Sequence, residues 1–241
     1  MEMILNANKL KTIKHPEDFI NKIIHGDCLK LIKLIPNNSI DVVLTDPPYG
    51  LNKDGVRGDA DLSLFYNVLS ECDRVLKQNS FFITFFSTKF LPQLFKNNPF
   101  NYFWQIVLYC REGRVKSPIG YTKYMSCFIF KKGNPKIIRR NKDIFIDTPG
   151  KMVEPDEGYI NHPTPKPKHF VKEILKMFTE ENDLILDPFI GSGSTAVACL
   201  QLNRRFIGFE IEEKYCKIAV GRINKFLSSF KSDKIKKEIK L

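Results

Sequence analysis

The 241-residue chain is expected to fold as an α/β domain, a mostly parallel sheet with helices on both faces. Three observations lead there. "IDVVLTD" (40–46) and "SFFITFF" (80–86) are apolar at consecutive positions, the pattern of strands covered on both sides. Segments of helical apolar spacing lie between such runs, as in "LSLFYNVLSECDRVLK" (62–77). The second half then alternates strand and helix without a break from residue 168 onward.

Taken in order, the first twenty or so residues show no strong period and are expected to lie over the surface. "KIIHGD" (22–27) reads as a short strand ending in an acid, and "CLKLIKLIP" as a helix stopped near Pro36. After strand 40–46, "GLNKDGVRGDAD" (50–61) offers glycines and charges with almost no core residues, so it reads as a mobile loop. Helix 62–77 and strand 80–86 follow, then strands "FNYFWQIVLYC" (100–110) and "SCFIFKKG" (126–133). From Lys131 to Pro167 the chain is rich in proline, glycine and charge, as an inserted or variable segment would be. Regular order returns with helix "KHFVKEILKMF" (168–178), strand "DLILDPF", helix "STAVACLQL", strand "RFIGFE" and helix "EEKYCKIAVGRINKFL" (212–227). The lysine-rich end after Phe230 reads as a frayed, solubilising tail, and no internal repeat is present.

Composition limits the class. With 43% apolar and 12% aromatic residues the chain can build a core, which excludes a disordered protein. Its longest apolar runs are too short to span a membrane, and no export signal opens it. The six cysteines show neither metal-knuckle nor redox spacing, so reduced structural thiols in a cytoplasm are expected, with no metal site. The net charge of +11 points to a polyanionic partner. Its distribution says more: residues 111–142 hold ten Lys and Arg residues and a single acid, Glu112. Either a contact surface for nucleic acid or a solvated face would look like this.

Two stretches carry chemistry. In "LILDPFIGSGSTAVACLQLNRRFIGFEI", Gly191 and Gly193 allow a sharp turn and close approach to a ligand before a helix. Glu210 then stands at the next strand end, placed for ribose hydroxyls. The spacing Gly191-x-Gly193-x-x-Ala196 also satisfies the loose dinucleotide pattern. An acid at the strand end, Asp187, followed by Phe189, suits a cationic ligand better, such as the sulfonium and amino group of S-adenosylmethionine. A packing turn is the third reading. The other stretch is "TDPPYG" (45–50). Pro47 and Pro48 stiffen the strand exit and remove competing N–H donors. An exocyclic amine could place one hydrogen on the Asp46 carboxylate and the other on the Pro47 carbonyl, which would localise its lone pair toward a methyl group. Tyr49 could stack on an extruded base. Otherwise the stretch is a strand-ending turn.

"GDCLKLIKLIPNNSIDVVLTDPPYG", "HPTPKPKHFVKEIL" and the glycine-turn block together resemble the amino-methylating DNA methyltransferases, across about residues 22–222. The catalytic block preceding the methyl-donor block is similar to their circularly permuted β class. The resemblance implies a Rossmann-like S-adenosylmethionine-dependent fold with a mostly parallel seven-stranded sheet and a small target-recognition insertion. It divides the chain into a catalytic half (22–110), a target-recognition region (111–160), a donor-binding half (161–230) and a basic tail (231–241). It makes Asp46, Pro47, Pro48 and Tyr49 the catalytic motif. The donor site becomes Asp27 and Cys28 for adenine, Thr164 and Lys166 for the methionine end, the turn Asp187, Phe189, Gly191, Ser192, Gly193 and Ser194, and Glu210 for ribose. Ser194 departs from the more usual threonine but keeps a hydroxyl. Lys53, Arg57, Arg111, Arg114, Lys116, Lys123, Arg139 and Arg140 are the expected nucleic-acid contacts. The partners implied are double-stranded DNA, with a homodimer and a cognate restriction endonuclease left open, and no membrane. Aspartate rather than serine at position 46 favours adenine-N6 over cytosine-N4 as the acceptor. Methylation of RNA or a protein amine, an inactive nucleic-acid-binding protein and an NAD-linked oxidoreductase are the alternatives. No cysteine follows a proline as a cytosine-C5 nucleophile would, and His162 reads as donor-site architecture rather than a general base.

Overall fold

Successive side chains of a strand point to opposite faces, so a run that is apolar at every position needs two cores. The computed structural model, which describes residues 4–6, 16–48, 62–96, 98–110, 115–117, 119–147, 153–154, 158–162 and 165–239, supplies both. Val42, Leu44, Phe81 and Ile83 enter one core, and Val43, Phe82 and Phe86 the other. Phe82, fully buried, stacks on Phe100 with ring centroids 4.9 Å apart.

In chain order the elements begin with β1 (Ile4–Asn6), β2 (Lys22–His25), α1 (Cys28–Leu31), β3 (Ile40–Thr45), α2 (Ser63–Val75), β4 (Leu76–Phe86) and α3 (Leu91–Phe95). Then come β5 (Asn101–Cys110), the hairpin of β6 (Val115–Ser117) and β7 (Gly120–Thr122), β8 (Tyr124–Lys132) and β9 (Ile144–Asp147). The hairpin of β10 (Val153–Glu154) and β11 (Gly158–Tyr159) leads to α4 (Lys168–Phe178), β12 (Leu184–Asp187), α5 (Ser194–Gln201), β13 (Arg205–Glu210) and α6 (Glu213–Ile239).

Among the described residues the main sheet has nine strands in the order β1-β2-β13-β12-β3-β4-β8-β5-β9, and of these only β8 runs antiparallel to its neighbours, β4 and β5. The expected seven strands form the middle, and β1 and β9 add one at each edge. Three residues give no measurable period, so nothing in the first twenty announces β1. Ile144–Asp147 lies in the segment expected to be an insertion, yet it joins the sheet parallel to β5. Two expected helices differ in extent. The 28–36 helix is one α turn continued by a 3-10 turn at Ile32–Leu34, and α6 runs on through the basic tail to Ile239.

The layering decides where a ligand can sit. Helix α5, which follows β12, packs into one core, and α2, which follows β3, packs into the other. Strands β12 and β3 are neighbours. Their connections leave in opposite directions, so a crevice opens outside their carboxyl ends. Open α/β sheets bind ligands at such a switch point. Asp187 ends β12, and Thr45 ends β3 immediately before Asp46.

Candidate active site

At the switch point the Thr45 hydroxyl donates to Asp187 Oδ1 at 3.1 Å, joining β3 to β12. The same oxygen accepts from the Phe189 N–H at 3.1 Å, and the Thr195 hydroxyl also donates to this carboxylate. Asp187 is 4% exposed. Burial pushes its carboxyl up to about 7, against the pull of these three donors. Its hydrogen bonds hold the two strands and the turn together, and it lines the cleft in which the cationic ligand is expected.

Gly191 and Gly193 have φ of +51° and +82°, where only glycine sits without cost. A Cβ on Gly193 would lie 2.8 Å from Ala219 Cβ in α6, and one on Gly191 would lie 3.1 Å from His162 Nε2. The Gly191 N–H donates to Glu210 Oε2 at 3.0 Å and the Glu212 N–H to Oε1 at 2.8 Å. The Ile211 N–H also donates to this carboxylate, whose four acceptor sites still leave room for a ligand hydroxyl. Burial raises the Glu210 pKa. Across the sheet the Gly26 N–H donates to the Glu210 carbonyl at 2.9 Å, which brings Asp27 and Cys28 alongside. Asp27 Oδ1 caps α1 by accepting from the Leu29 N–H at 2.9 Å. Burial, and then Asp27, pushes the Cys28 thiol up to about 12, so Cys28 contributes shape rather than reactivity.

Asp46, Pro47 and Pro48 leave the end of β3, with Pro47 buried. Asp46 Oδ2 accepts from Lys166 Nζ, whereas Asp46 Oδ1 is buried without a hydrogen-bond partner among the described residues. The Lys166 and Asp46 side chains are 12% and 23% exposed, and Lys166 Nζ lies 5.2 Å from the Phe85 ring centroid. The Lys166 carbonyl accepts from the Ser194 hydroxyl at 2.7 Å. Buried Arg222 of α6 donates to the Ser192 carbonyl at 2.7 Å and to Ser194 Oγ at 3.1 Å, bracing the turn from below. His162 borders the same cleft and packs edge-on against Tyr215. Burial first, then Lys166, Arg222 and Lys214, holds its imidazole down to about 4, too low for a general base at neutral pH.

Asp46, Lys166 and the turn from Asp187 to Ser194 thus meet at one cleft, with Asp27, Cys28 and Glu210 adjoining the turn. Sequence reasoning missed Thr45, Phe85 and Arg222. Arg222 carried a legible signal, because it falls on the helical stripe formed by Tyr215, Cys216, Ala219 and Ile223, where an arginine needs buried acceptors. Tyr49, Lys53, Arg57, Arg111, Arg114 and Thr164 lie outside the described residues. The basic stretch itself divides. The Lys123 carbonyl accepts from the Cys110 N–H at the end of β5, on the carboxyl edge of the sheet with Asp46, and Lys116 belongs to the adjoining hairpin. The Ile138 and Arg139 N–H groups bond the Met177 carbonyl at the end of α4, which puts Arg139 and Arg140 at the opposite edge.

Fold and site together define a doubly wound α/β domain with a glycine-turn ligand site and an acid held at a proline-stiffened strand exit. The sequence matches the DNA methylase family over residues 40–146 and 131–221, and the chain belongs to that family of N6/N4 methyltransferases. Among curated relatives, the DNA adenine methyltransferase YhdJ of Escherichia coli (strain K12) is 28% identical over 261 residues, covering 89% of this chain and 87% of its own length. Among solved structures, the cytosine-N4-specific PvuII DNA methyltransferase aligns with a TM-score of 0.70 at 20% identity, covering 83% of this chain and 85% of its own. The complex of M1.HpyAVI with SAM (S-adenosylmethionine) aligns at 0.64 and 23% identity, covering 83% and 98%. These two likenesses are of fold. No helix among the described residues is long and apolar enough to cross a membrane.

Proposed function

We propose that the chain transfers a methyl group from S-adenosylmethionine to the N6 amine of an adenine extruded from double-stranded DNA. The observation that carries this reading is Asp46 Oδ1, a buried acceptor without a partner among the described residues, at the switch point beside the glycine turn. Unsatisfied buried acceptors are costly, and they persist where a ligand completes them.

Glu210 for ribose hydroxyls, Asp27 and Cys28 beside it for adenine, two glycines for close backbone approach and Lys166 for the carboxylate support S-adenosylmethionine as the donor, and the resemblance adds Thr164 beside Lys166. When bound, S-adenosylmethionine supplies a sulfonium-borne methyl group that accepts the amine's lone pair while the carbon–sulfur electrons leave on sulfur. Asp46 Oδ1 and the Pro47 carbonyl each accept one amine hydrogen, turning the lone pair out of conjugation with the ring. The Asp46 carboxylate stabilises the positive charge that grows on the nitrogen, and the methylated nitrogen then gives up one of its two hydrogens as a proton, through Asp46 Oδ1 to solvent, to leave the neutral product. Tyr49 stacks on the base, worth about 1–3 kcal/mol. The hairpin edge that carries Lys116 and Lys123 tracks the phosphates. That β3, with Asp46 at its exit, precedes β12 and the glycine turn in the chain supports the permuted β class.

Adenine is favoured over cytosine-N4 by the aspartate at position 46 and by the likeness to an adenine methyltransferase. The test is to incubate the chain with DNA and methyl-labelled donor, digest to nucleosides and identify the labelled species by mass spectrometry. N6-methyldeoxyadenosine is the expected product. N4-methyldeoxycytidine would reassign the base, and absence of label in DNA would refute the activity.

A further inference from the structure

The Lys166–Asp46 pair conflicts with the separate tasks of its members. Asp46 has to offer its carboxylate to an amine, yet Oδ2 is held by Lys166 and the charge is offset. Lys166 suits a ligand carboxylate, yet its ammonium is already engaged. The pair stands in the wall of the cleft, directly beside the glycine turn. The two ends of Lys166 are held very differently. Its backbone carbonyl is tied to Ser194, which is tied to Arg222. Its ammonium sits at the end of a flexible four-carbon stem lying over Phe85, free to change partners without moving the chain.

We propose that Lys166 is exchanged between two carboxylates. It holds Asp46 while the donor site is empty and passes to the donor's carboxylate when that site fills, which releases Asp46 for the target amine. The exchange rests on the methyl-donor reading above. It makes donor binding the step that arms the catalytic acid, so capture of the amine follows the donor rather than preceding it. It also means that Asp46 competes against donor binding although it touches no part of the donor's carboxylate itself.

The test is a double-mutant cycle read by calorimetric titration of the full chain with S-adenosylhomocysteine, which keeps the carboxylate, and 5′-methylthioadenosine, which lacks it. Asp46→Asn removes the competing charge and should tighten S-adenosylhomocysteine binding about tenfold, the scale of a partly buried ion pair. Lys166→Met should weaken it, and Asp46→Asn added to Lys166→Met should give no further tightening. Methylthioadenosine should bind wild type and Asp46→Asn alike. Asp46→Ser serves as a second removal of the charge, with thermal unfolding of each ligand-free variant as the check on folding. Unchanged or weaker S-adenosylhomocysteine binding by both Asp46 variants would overturn the exchange, as would tightening that persists in the Lys166→Met background. Wild type failing to bind S-adenosylhomocysteine at all would overturn the methyl-donor reading as well, so the two failures are distinct.

Discussion

Two glycines of one turn should fail in different ways when each is replaced by alanine. Both sit at positive φ, which costs a residue with a Cβ about 1–2 kcal/mol. They part company in what the new methyl meets. At Gly193 it would lie 2.8 Å from Ala219 Cβ and 3.0 Å from Ala219 Cα, inside α6, where no flexible tip can yield. Overpacking of that kind adds about 1–3 kcal/mol, for a total loss of about 2–5 kcal/mol in Gly193→Ala. At Gly191 the methyl would point into the cleft, 3.1 Å from the edge of the His162 ring, which has only to shift slightly. Gly191→Ala should therefore lose little more than the backbone term of about 1–2 kcal/mol, but should bind S-adenosylhomocysteine at least about tenfold more weakly. Urea unfolding of each variant, paired with calorimetric titration well below its melting temperature, separates the two costs. Equal stability losses, or a larger loss in Gly191→Ala, would refute the placement of these methyl groups.

Three further outcomes can be checked. Asp46→Ala should lower label transfer to DNA by about 10³ or more, with a thermal midpoint close to wild type, and activity within tenfold of wild type would exclude Asp46 from the chemistry. Asp187→Asn tests the buried acid. Its pKa lies above the unfolded value, at about 7 against 3.8, so its contribution to stability is whole below pH 4 and lost as pH rises through 7. The variant should gain about 4 kcal/mol relative to wild type between pH 4 and pH 8 in urea unfolding, and a pH-independent difference would refute the shift. Replacing Arg111, Arg114, Lys116 and Lys123 by glutamine should flatten the salt dependence of DNA binding by about 0.9 per lost phosphate contact, while Arg139→Gln with Arg140→Gln should leave the slope alone. The reverse pattern would move the DNA surface to the other edge of the sheet.

What the sequence disclosed follows from the range over which each signal acts. Strands β3 and β4 were legible because burial on two faces leaves an unbroken apolar run in the chain itself. The glycine turn was legible for a similar reason, since its backbone demand falls on Gly191 and Gly193 alone. Strand β1 was not, because three residues show no period and its pairing with β2 is a tertiary fact. Strand β9 was hidden in a segment whose composition reads as loop, and only its place beside β5 makes it a strand. At the site, the residue types were legible but their partners were not. Nothing local to Lys166 indicates Asp46, 120 positions earlier, or to Thr45 that it reaches Asp187, 142 positions later. The division of the basic stretch was equally out of reach, because β8 carries the chain from one edge of the sheet to the other between Lys123 and Arg139.

The two acids at the switch point show how environment, rather than residue type, assigns a role. Asp46 and Asp187 follow or end adjacent strands, and the Asp46 charge adds to the upward shift at Asp187. Asp187 is enclosed and already accepts from Thr45, Phe189 and Thr195, so most of its acceptor capacity is spent on holding the strand ends and the turn. Asp46 is more open, has a lysine on one oxygen and nothing among the described residues on the other, and stands where two prolines stop the ladder. A raised pKa at Asp187 works in favour of Asp46. When Asp187 takes up a proton it removes a neighbouring negative charge and leaves Asp46, among the described residues lining the cleft, as the carboxylate that can stabilise a developing cation. If that division of labour is right, Asp187→Asn should keep most of the transfer activity that Asp46→Ala loses. Comparable losses in the two variants would show instead that both carboxylates must be charged for methyl transfer.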